Sequence, residues 1–304
     1  MTRNFLNISD IKKNDLKKIL RRGIFLKRNR TTRKKIKSLD NVNLAMIFEK
    51  PSTRTRVSFE LAIKELGGRS VILDSTNMHI SRGESIADTA RVLSRYCQIM
   101  MIRTKNHNKL LEYHINSNLP VINGLSDFSH PCQVLADVMT FEEKKGNIKD
   151  KKISWLGDIN NVLYSWAEAA ILFEFELKIA CPRIIKVTKN LKKLLDENPD
   201  KLILTNDPLE AALDADCIVT DTWFSMGNKR TIKKANFFKP YQVNSKVMKV
   251  AKKTCVFMHC LPASRGSEVT TDVIDNTNIS LVWDEAENRL HIQKAILEWC
   301  LKKI

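Results

Sequence analysis

The chain has 304 residues, 43% of them hydrophobic, and its formal net charge is +17 at pH 7. This length and apolar content predict a globular protein with a sizeable core and favour two domains over one. No apolar run approaches the roughly 20 residues of a membrane-spanning helix, and the first residues lack the apolar stretch of a secretory signal, so we expect a cytoplasmic protein.

The seven cysteines are odd in number and include no C-x-x-C pair. This usage is typical of a reducing compartment and not of a disulfide framework or a zinc site. We therefore expect most of the cysteines to be buried as small apolar side chains.

Much of the positive charge lies near the N-terminus. Residues 12–37 contain 13 Lys or Arg and one acid, Asp15, which gives a local charge of 13 − 1 = +12. Apolar residues recur in this stretch at helical spacing, namely Leu16, Ile19, Leu20 and Ile24. The pattern predicts an amphipathic helix whose bases coat its solvent face. A nucleic-acid-binding arm is the alternative, although no RNP-like motif, zinc-finger spacing or Gly-rich RNA loop accompanies the charge.

Short apolar runs alternate with helical stretches along the rest of the chain, which is the pattern of parallel sheets. The predicted strands are 43–48, 71–73, 99–102, 121–122, 153–156, 177–180, 202–204, 217–219 and 255–258. A charged break at residues 144–150 divides these runs into two sets, and residues 285–304 have the spacing of a closing helix.

The predicted fold class follows from this alternation. We expect an α/β protein of two domains, each a parallel sheet flanked by helices, with the C-terminal helix packing back on the N-terminal domain. The predicted domains are residues 1–146 together with 286–304, and residues 147–285.

A phosphate-binding site is predicted where the strand 43–48 leads into a helix over 54–66. Pro51 ends the strand, and Ser52 can cap the helix. Residues 52–56 set two guanidinium groups among three hydroxyls at this helix start. Unpaired backbone N–H groups and the positive end of the helix dipole favour an anion there. A capped helix with surface arginines is the alternative.

Polar clusters also follow other predicted strands, and ligands of open parallel sheets bind beyond the carboxyl ends of the strands. The clusters are residues 52–56, Arg103, residues 130–133, Asp158 with Asn160 and Asn161, Asp221, and residues 259–262. We expect one cleft between the domains to collect them, although a cap, a turn or a core histidine would explain each one alone.

The turn at residues 157–161 lacks the second and third glycines of a dinucleotide fingerprint, so no nicotinamide cofactor is expected. Asn160 and Asn161 instead offer paired donors and acceptors that suit a small zwitterion.

Four motifs match one family in order and spacing. They are Phe48-Glu49-Lys50-Pro51-Ser52-Thr53-Arg54-Thr55-Arg56, His130-Pro131-Cys132-Gln133, Asp221-Thr222-Trp223-Phe224-Ser225-Met226-Gly227 and His259-Cys260-Leu261-Pro262. On these motifs the chain resembles the ornithine branch of the aspartate/ornithine carbamoyltransferase family along essentially its whole length. The first two motifs are shared with the aspartate branch, whereas the last two resemble the ornithine branch. The resemblance implies transfer of the carbamoyl group of carbamoyl phosphate to the side-chain amine of L-ornithine, giving L-citrulline and phosphate.

The resemblance also implies the residues of the site. Those implied to bind carbamoyl phosphate are Ser52, Thr53, Arg54, Thr55, His79, Arg103, His130, Gln133, Cys260, Leu261 and Arg289. Those implied to bind ornithine are Asn161, Asp221, Ser225 and Met226. Those implied to act in catalysis are Arg103, His130, Asp221 and Cys260. His79 matches a position that in relatives reaches into a neighbouring subunit, which implies a homotrimer with active sites at subunit interfaces.

One residue departs from the family pattern. Ile159 stands where the family usually has a small residue, a difference that bears on the orientation of Asn160 and Asn161.

No cofactor, metal or covalent intermediate is expected for this reaction. His259 and Cys260 are adjacent in the sequence, and the chain shows no convincing set of metal ligands. A thiol next to Asp221 suits holding or deprotonating the amine better than nucleophilic attack.

Two other functions stay open. One is carbamoyl transfer to putrescine or an acylated ornithine, and the other is nucleic-acid binding by a protein with a vestigial site. We expect the ornithine reaction, no nucleic-acid or membrane partner, closure of the domains around the substrates, and movement of the loop 225–228 when ornithine binds.

Overall fold

The computed structural model describes residues 2–31, 36–224 and 232–304. The chain forms two compact units, of which the first comprises Met1–Met139 with Glu287–Ile304 and the second comprises Thr140–Ala286. Each unit is a parallel β-sheet flanked by helices, so the predicted α/β class with two domains is confirmed. The chain passes between the units inside two helices, α5 (Pro131–Lys145) and α12 (Val282–Cys300).

The sheet of the first unit has four parallel strands in the order β2-β1-β3-β4. Their bounds are β1 Asn43–Phe48, β2 Arg69–Asp74, β3 Ile99–Arg103 and β4 Val121–Leu125. Apolar side chains of β1 and β3 are buried almost completely, as expected for central strands of a covered parallel sheet. Phe48 and Arg103 are paired at the carboxyl ends of these strands, so the residues that follow them lie at one edge.

Four further helices belong to the first unit. Their bounds are α1 Lys13–Arg28, α2 Thr53–Glu65, α3 Ile86–Tyr96 and α4 His107–Asn116. The basic helix α1 buries Leu16, Ile19 and Leu20 as predicted, and it also buries Leu26, whereas Ile24 is only half-buried. The helix predicted at 54–66 ends as expected, because Gly67 takes a φ of +95° that favours glycine.

The C-terminal part of α12 packs within the first unit, which confirms the predicted closing helix. The carboxylate of Glu298 accepts hydrogen bonds from Nε and Nη2 of Arg22 over 2.6 and 2.7 Å, and Trp299 meets Phe5 edge to face. The helix begins at Val282, three residues before the predicted start.

The sheet of the second unit has five parallel strands in the order β7-β6-β5-β8-β9. Their bounds are β5 Lys152–Leu156, β6 Glu176–Ala180, β7 Leu202–Thr205, β8 Cys217–Thr220 and β9 Val256–His259. The helices are α6 Asn161–Phe173, α7 Lys189–Glu197, α8 Pro208–Ala212, α9 Ile232–Phe238, α10 Ser245–Val250 and α11 Thr271–Ile274. Helix α6 is buried on most of its surface, consistent with its apolar sequence.

The burial of the cysteines and the character of the helices bear on two expectations drawn from composition. Six of the seven cysteines are buried, Cys260 is half-buried, and all seven are free thiols, which confirms the predicted use of cysteine. Within the described part of the chain, none of the helices combines the length and apolar character that a bilayer crossing requires.

Candidate active site

The start of α2 has the predicted form. Ser52 has an extended backbone, and its Oγ accepts a hydrogen bond from the N–H of Thr55 over 3.4 Å, so its side chain caps the helix. Thr53 and Arg54 are exposed in this first turn, whereas Thr55 is buried. Since the first N–H groups of a helix have no partner within it, this end of α2 offers an anion backbone donors, hydroxyls and a cation together.

Thr55 joins two buried arginines. Its Oγ1 accepts a hydrogen bond from Nη1 of Arg103 over 3.1 Å and another from Nη2 of Arg289 over 2.9 Å. Arg103 ends β3, and Arg289 lies in the part of α12 that belongs to the first unit. Two guanidinium groups that share one neutral hydroxyl create a positive environment, and a ligand with several anionic oxygens would be stabilised there.

His130 lies close enough to these arginines to respond to their charge. Its side chain is buried, and burial, reinforced by the charges of Arg289, Arg103 and Arg54, holds its pKa well below the usual range for histidine. The ring is therefore neutral at pH 7, and a neutral imidazole can donate a hydrogen bond from one nitrogen to a carbonyl oxygen.

Gln133 and His79 occupy different positions relative to this cluster. Gln133 is buried in the first turn of α5, where Nε2 donates to Oδ1 of Asp137 over 2.8 Å and the backbone N–H donates to the carbonyl of His130. His79 is exposed in a short 3₁₀ segment, His79–Arg82. The two donors to Oγ1 of Thr55 are Arg103 and Arg289, and His79 is not one of them.

A second polar cluster lies at the carboxyl ends of β5, β8 and β9 in the second unit. Asp221 accepts from Nδ2 of Asn160 on Oδ2 over 2.8 Å, and from the thiol of Cys260 on Oδ1 over 3.3 Å. Asn160 also caps α6, because its Oδ1 accepts from the N–H groups of Val162 and Leu163. The three elements thus present one carboxylate, one amide and one thiol together.

Two buried carboxylates support the turn that follows β9. The N–H of His259 donates to Oε2 of Glu285 over 3.0 Å, and the N–H of Leu261 donates to Nδ1 of His259 over 2.8 Å. Nε2 of His259 lies 3.4 Å from Oε1 of Glu268. Leu261 has a φ of +55°, a left-handed conformation that is costly for a residue other than glycine. The contacts of His259 therefore hold a turn that its own sequence does not favour.

Of the three residues predicted to bind ornithine beside Asp221, the structure describes only Asn161. Asn161 is the first residue of α6 and is half-buried, next to the residue that contacts Asp221. Despite Ile159, Asn160 keeps both its capping contacts and its bond to Asp221. Ser225 and Met226 lie outside the described residues.

The sequence showed no convincing metal-ligand set, but the fold does bring three candidate groups together. Asp221, His259 and Cys260 each offer one ligand atom, and these atoms lie within 4.8 Å of one another. The adjacency of His259 and Cys260 therefore does not keep their ligand atoms apart. Nδ1 of His259 already accepts from Leu261, and the thiol donates to Asp221, so each group has a role in a hydrogen-bond network.

Family comparisons decide between the possible interpretations of these two clusters. The family model for the "Aspartate/ornithine carbamoyltransferase, carbamoyl-P binding domain" matches residues 3–143, and the model for the "Asp/Orn binding domain" of the same family matches residues 149–300. The chain belongs to the aspartate/ornithine carbamoyltransferase family. The recognition made from the four sequence motifs is thereby confirmed.

Individual members of the aspartate/ornithine carbamoyltransferase family are similar over nearly the full chain. An ornithine carbamoyltransferase of Rhodopseudomonas palustris is 52% identical over 302 residues, covering 99% of this chain and 97% of the relative. One of Bradyrhizobium diazoefficiens is 48% identical, covering 99% and 98%. The solved ornithine carbamoyltransferase of Pyrococcus furiosus superposes with a TM-score of 0.94 at 44% identity, covering 100% of this chain and 98% of that one.

The contacts of three residues that organise these clusters were not predicted from the sequence. Asn160 was expected only as part of an asparagine pair, yet it both caps α6 and binds Asp221. Its position immediately before an apolar helix was a signal for the cap. Glu268 and Glu285 carried no local signal, because their role depends on a fold that buries them beside His259.

Proposed function

We propose that this chain transfers the carbamoyl group of carbamoyl phosphate to the side-chain amine of L-ornithine, giving L-citrulline and phosphate. One observation carries the proposal: Thr55, at the start of a capped helix, accepts hydrogen bonds from the buried arginines Arg103 and Arg289. This is the arrangement that binds and stabilises a phosphate dianion. The close relatives named ornithine carbamoyltransferase support the same reaction.

The substrates divide between the two units in this proposal. Carbamoyl phosphate binds to the first domain, residues 1–146 with 286–304, with its phosphate on Ser52, Thr53, Arg54 and Thr55. The matched family description of this half as carbamoyl-P binding supports that division. Ornithine binds to the second domain, residues 147–285, whose half of the chain matches the Asp/Orn binding description.

The reaction is an addition to the carbamoyl carbon that passes through a tetrahedral species and then expels phosphate, with no covalent bond to the enzyme. The uncharged side-chain amine of ornithine attacks the carbamoyl carbon, a C–N bond forms, the C–O bond to phosphate breaks, and the amine proton leaves with the phosphate. Negative charge grows on the carbonyl oxygen, where neutral His130 and the guanidinium of Arg103 act as donors. It also grows on the departing phosphate, which the start of α2, Arg54 and Arg289 stabilise.

Ornithine is held in this proposal by its α-amino group. The carboxylate of Asp221 is anchored by Asn160 and by the Cys260 thiol, and a carboxylate is the natural partner of an ammonium group. Cys260 and Leu261 then lie beside both substrates. Cys260 holds the attacking amine but does not attack the carbamoyl group itself, because a thiol that donates its hydrogen to Asp221 keeps its proton and has little tendency to become a thiolate nucleophile.

A homotrimer is part of the proposal, with His79 completing the active site of a neighbouring subunit. Its support is the exposed position of His79 and a set of exposed apolar side chains in the first unit, namely Val57, Val71, Val92 and Tyr96. In the proposal these four side chains are buried between subunits, since a contiguous apolar patch is typical of an interaction site. Light scattering should give about 105 kDa, three chains of 34.9 kDa. A monomer mass would remove this part of the proposal.

We further propose a cytoplasmic enzyme of arginine biosynthesis. The odd number of unpaired cysteines suits a reducing compartment. A similar solved structure, 36% identical with a TM-score of 0.91, is titled an anabolic ornithine carbamoyltransferase from Campylobacter jejuni.

An amine-panel assay tests the proposed function. Carbamoyl phosphate is supplied with ornithine, putrescine, N-acetylornithine or aspartate, and the carbamoylated product and phosphate are both measured. Ornithine should exceed every other amine in kcat/KM by at least about 100-fold, since a site built for polar groups of the substrate rejects analogues that lack them. N-acetylornithine lacks the α-ammonium group, putrescine lacks the α-carboxylate, and aspartate lacks the side-chain amine. Preference for another amine would identify a different carbamoyltransferase. A salt-dependent gel shift with RNA or DNA at physiological ionic strength, together with no turnover, would favour the nucleic-acid alternative.

A further inference from the structure

The imidazole of His259 is held in one particular tautomer by its surroundings in the second unit. Nδ1 accepts the N–H of Leu261 over 2.8 Å, which favours a hydrogen on Nε2 in the neutral ring. Nε2 has no hydrogen-bond partner in the part of the chain that the structure describes, and it lies 3.4 Å from Oε1 of Glu268. A carboxylate in that position favours a hydrogen on Nε2.

Glu268 is itself fixed in place. Its side chain is 1% exposed, and its Oε1 accepts a hydrogen bond from the N–H of Ser264. Its backbone carbonyl accepts from the N–H of Val243 over 2.9 Å. An oxygen whose position is set by a backbone donor presents an acceptor, and not a donor, to the imidazole.

The opposite tautomer would break the turn. A hydrogen on Nδ1 would face the N–H of Leu261 across the same 2.8 Å, and two donors cannot share that distance. Leu261 holds a left-handed backbone conformation, with a φ of +55°, so losing its hydrogen bond removes one of the contacts that maintain it. Cys260, which donates to Asp221, would move with the turn.

We propose that Glu268 is a positioning residue for this reaction. Its carboxylate lies beside Nε2 of His259 and favours the tautomer that fixes the turn at residues 259–262. This turn then places the Cys260 thiol against Asp221. The residue does not touch substrate. This inference rests on the proposed function for its kinetic consequence, whereas the tautomer itself can be measured without substrate.

Two substitutions of Glu268 separate positioning from general stability. Glu268→Ala removes the carboxylate that lies 3.4 Å from Nε2, whereas Glu268→Gln keeps an oxygen, which the Ser264 N–H should orient towards the imidazole. Asp216→Asn is the matched control. Asp216 is a buried carboxylate of the same unit, at the amino end of β8, and it accepts hydrogen bonds from Lys252 and from the N–H of Lys152. Thermal melting checks that each variant is folded.

The first readout is the tautomer of His259, measured by ¹⁵N chemical shifts in histidine-labelled protein. Its resonances are assigned by their loss in His259→Asn. The wild type should show hydrogen on Nε2. Glu268→Ala should show an increased Nδ1–H population, in molecules whose turn has lost the hydrogen bond from the Leu261 N–H to Nδ1. The same wild-type pattern in Glu268→Ala would overturn the proposal.

The second readout is the split between the two KM values. Glu268→Ala should raise the ornithine KM about tenfold, the lower end of what loss of an orienting partner of a histidine costs, while the carbamoyl phosphate KM changes by less than about twofold. Glu268→Gln should restore the ornithine KM to within about threefold of wild type. Equal changes in both KM values, matched by Asp216→Asn, would show a merely structural role and overturn the proposal.

If Glu268→Ala does not fold, two variants of His259 test whether residue 259 must accept the N–H of Leu261. Asn at position 259 places Oδ1 where Nδ1 lies and can accept the Leu261 N–H, so His259→Asn should retain a lower ornithine KM than His259→Leu. Equal losses would contradict the proposal. If the wild type forms no citrulline, the proposed function fails, whereas the tautomer comparison between the wild type and the Glu268 variants still decides the positioning role.

Discussion

Arg289 donates from Nη2 to Oγ1 of Thr55 over 2.9 Å, although 234 positions separate the two residues in the sequence. The same Oγ1 accepts from Arg103. The C-terminal helix α12 therefore completes a cluster whose other members lie at the start of α2 and at the end of β3. This single hydroxyl links the C-terminal helix, the strand β3 and the proposed phosphate site.

Removing that hydroxyl should weaken both binding and folding. In Thr55→Val two buried guanidinium groups lose an acceptor, so we expect a higher carbamoyl phosphate KM, an unchanged ornithine KM and a loss of about 1–3 kcal/mol in unfolding free energy. Steady-state kinetics and urea unfolding measure these effects. Thr55→Ser keeps the hydroxyl and should stay close to wild type in both. A Val variant indistinguishable from the Ser variant would contradict the role given to Thr55.

The proposed phosphate contact of Arg54 can be tested against its neighbour. Arg54→Ala removes an exposed cation from the first turn of α2, and the carbamoyl phosphate KM should rise at least about tenfold, since a charge-assisted bond to phosphate is lost. Arg56→Ala is the matched control. That residue lies two positions on in the same helix and faces Asp74 at 3.9 Å, so its loss should change the same KM by less than about twofold. Equal effects would show that only general positive charge matters.

Asp221 should determine ornithine binding. Asp221→Asn keeps the shape of the side chain but removes the charge that pairs with an α-ammonium group, so the ornithine KM should rise by roughly 10- to 100-fold with little change in the carbamoyl phosphate KM. Asp207→Asn, a helix cap at α8 that asparagine can also provide, is the control and should behave as wild type. Unchanged ornithine kinetics in the Asp221 variant would rule out its assignment.

His291 should make stability depend on pH. Burial, followed by the charges of Lys294, Arg30 and Lys27, lowers the pKa of His291 to about 3 from an ordinary value of 6.5. The unfolded chain therefore binds a proton below pH 6.5 that the folded chain does not, so stability is greatest above that pH and falls as the pH decreases towards 3. His291→Gln should remove up to about 1.4 kcal/mol of this loss per pH unit.

Urea unfolding of the wild type and His291→Gln at several values between about pH 7.5 and 4.5 measures this difference. Carboxylates begin to titrate at the acidic end of this range in both proteins, so the difference between the two stability curves reports on His291. A similar but separate contribution from His130, whose pKa is also lowered by burial, should remain in both proteins. Parallel stability curves would contradict the account of His291.

The sheets of this fold could be predicted from the sequence because their signals are local. Each apolar run that alternates with a helical stretch became a parallel strand, and the turn at Ser52 capped α2 as its residue type indicates. The observed strands and helices differ from the predicted ones only in the residues at which they begin or end. The strand β9 includes His259, and α12 begins at Val282, since strand and helix ends depend on packing as well as on propensity.

The contacts that shape the site could not be obtained from local patterns. Residue type does not reveal that Asn160, and not its neighbour, binds Asp221, because the choice depends on where β5 and β8 place their carboxyl ends. The pairing of Thr55 with Arg289 is set by where α12 packs. Family resemblance indicated Arg289 as a ligand, whereas no pattern indicated Glu268 or Glu285.

The proposed reaction depends on a phosphate dianion bound at the start of α2. A crystal structure of the enzyme with a bisubstrate mimic that carries a phosphonate would locate this dianion. The phosphonate oxygens should lie against the backbone and hydroxyls of residues 52–55 and the guanidinium of Arg54. A phosphonate bound anywhere else in the molecule would show that the start of α2 is not the phosphate site.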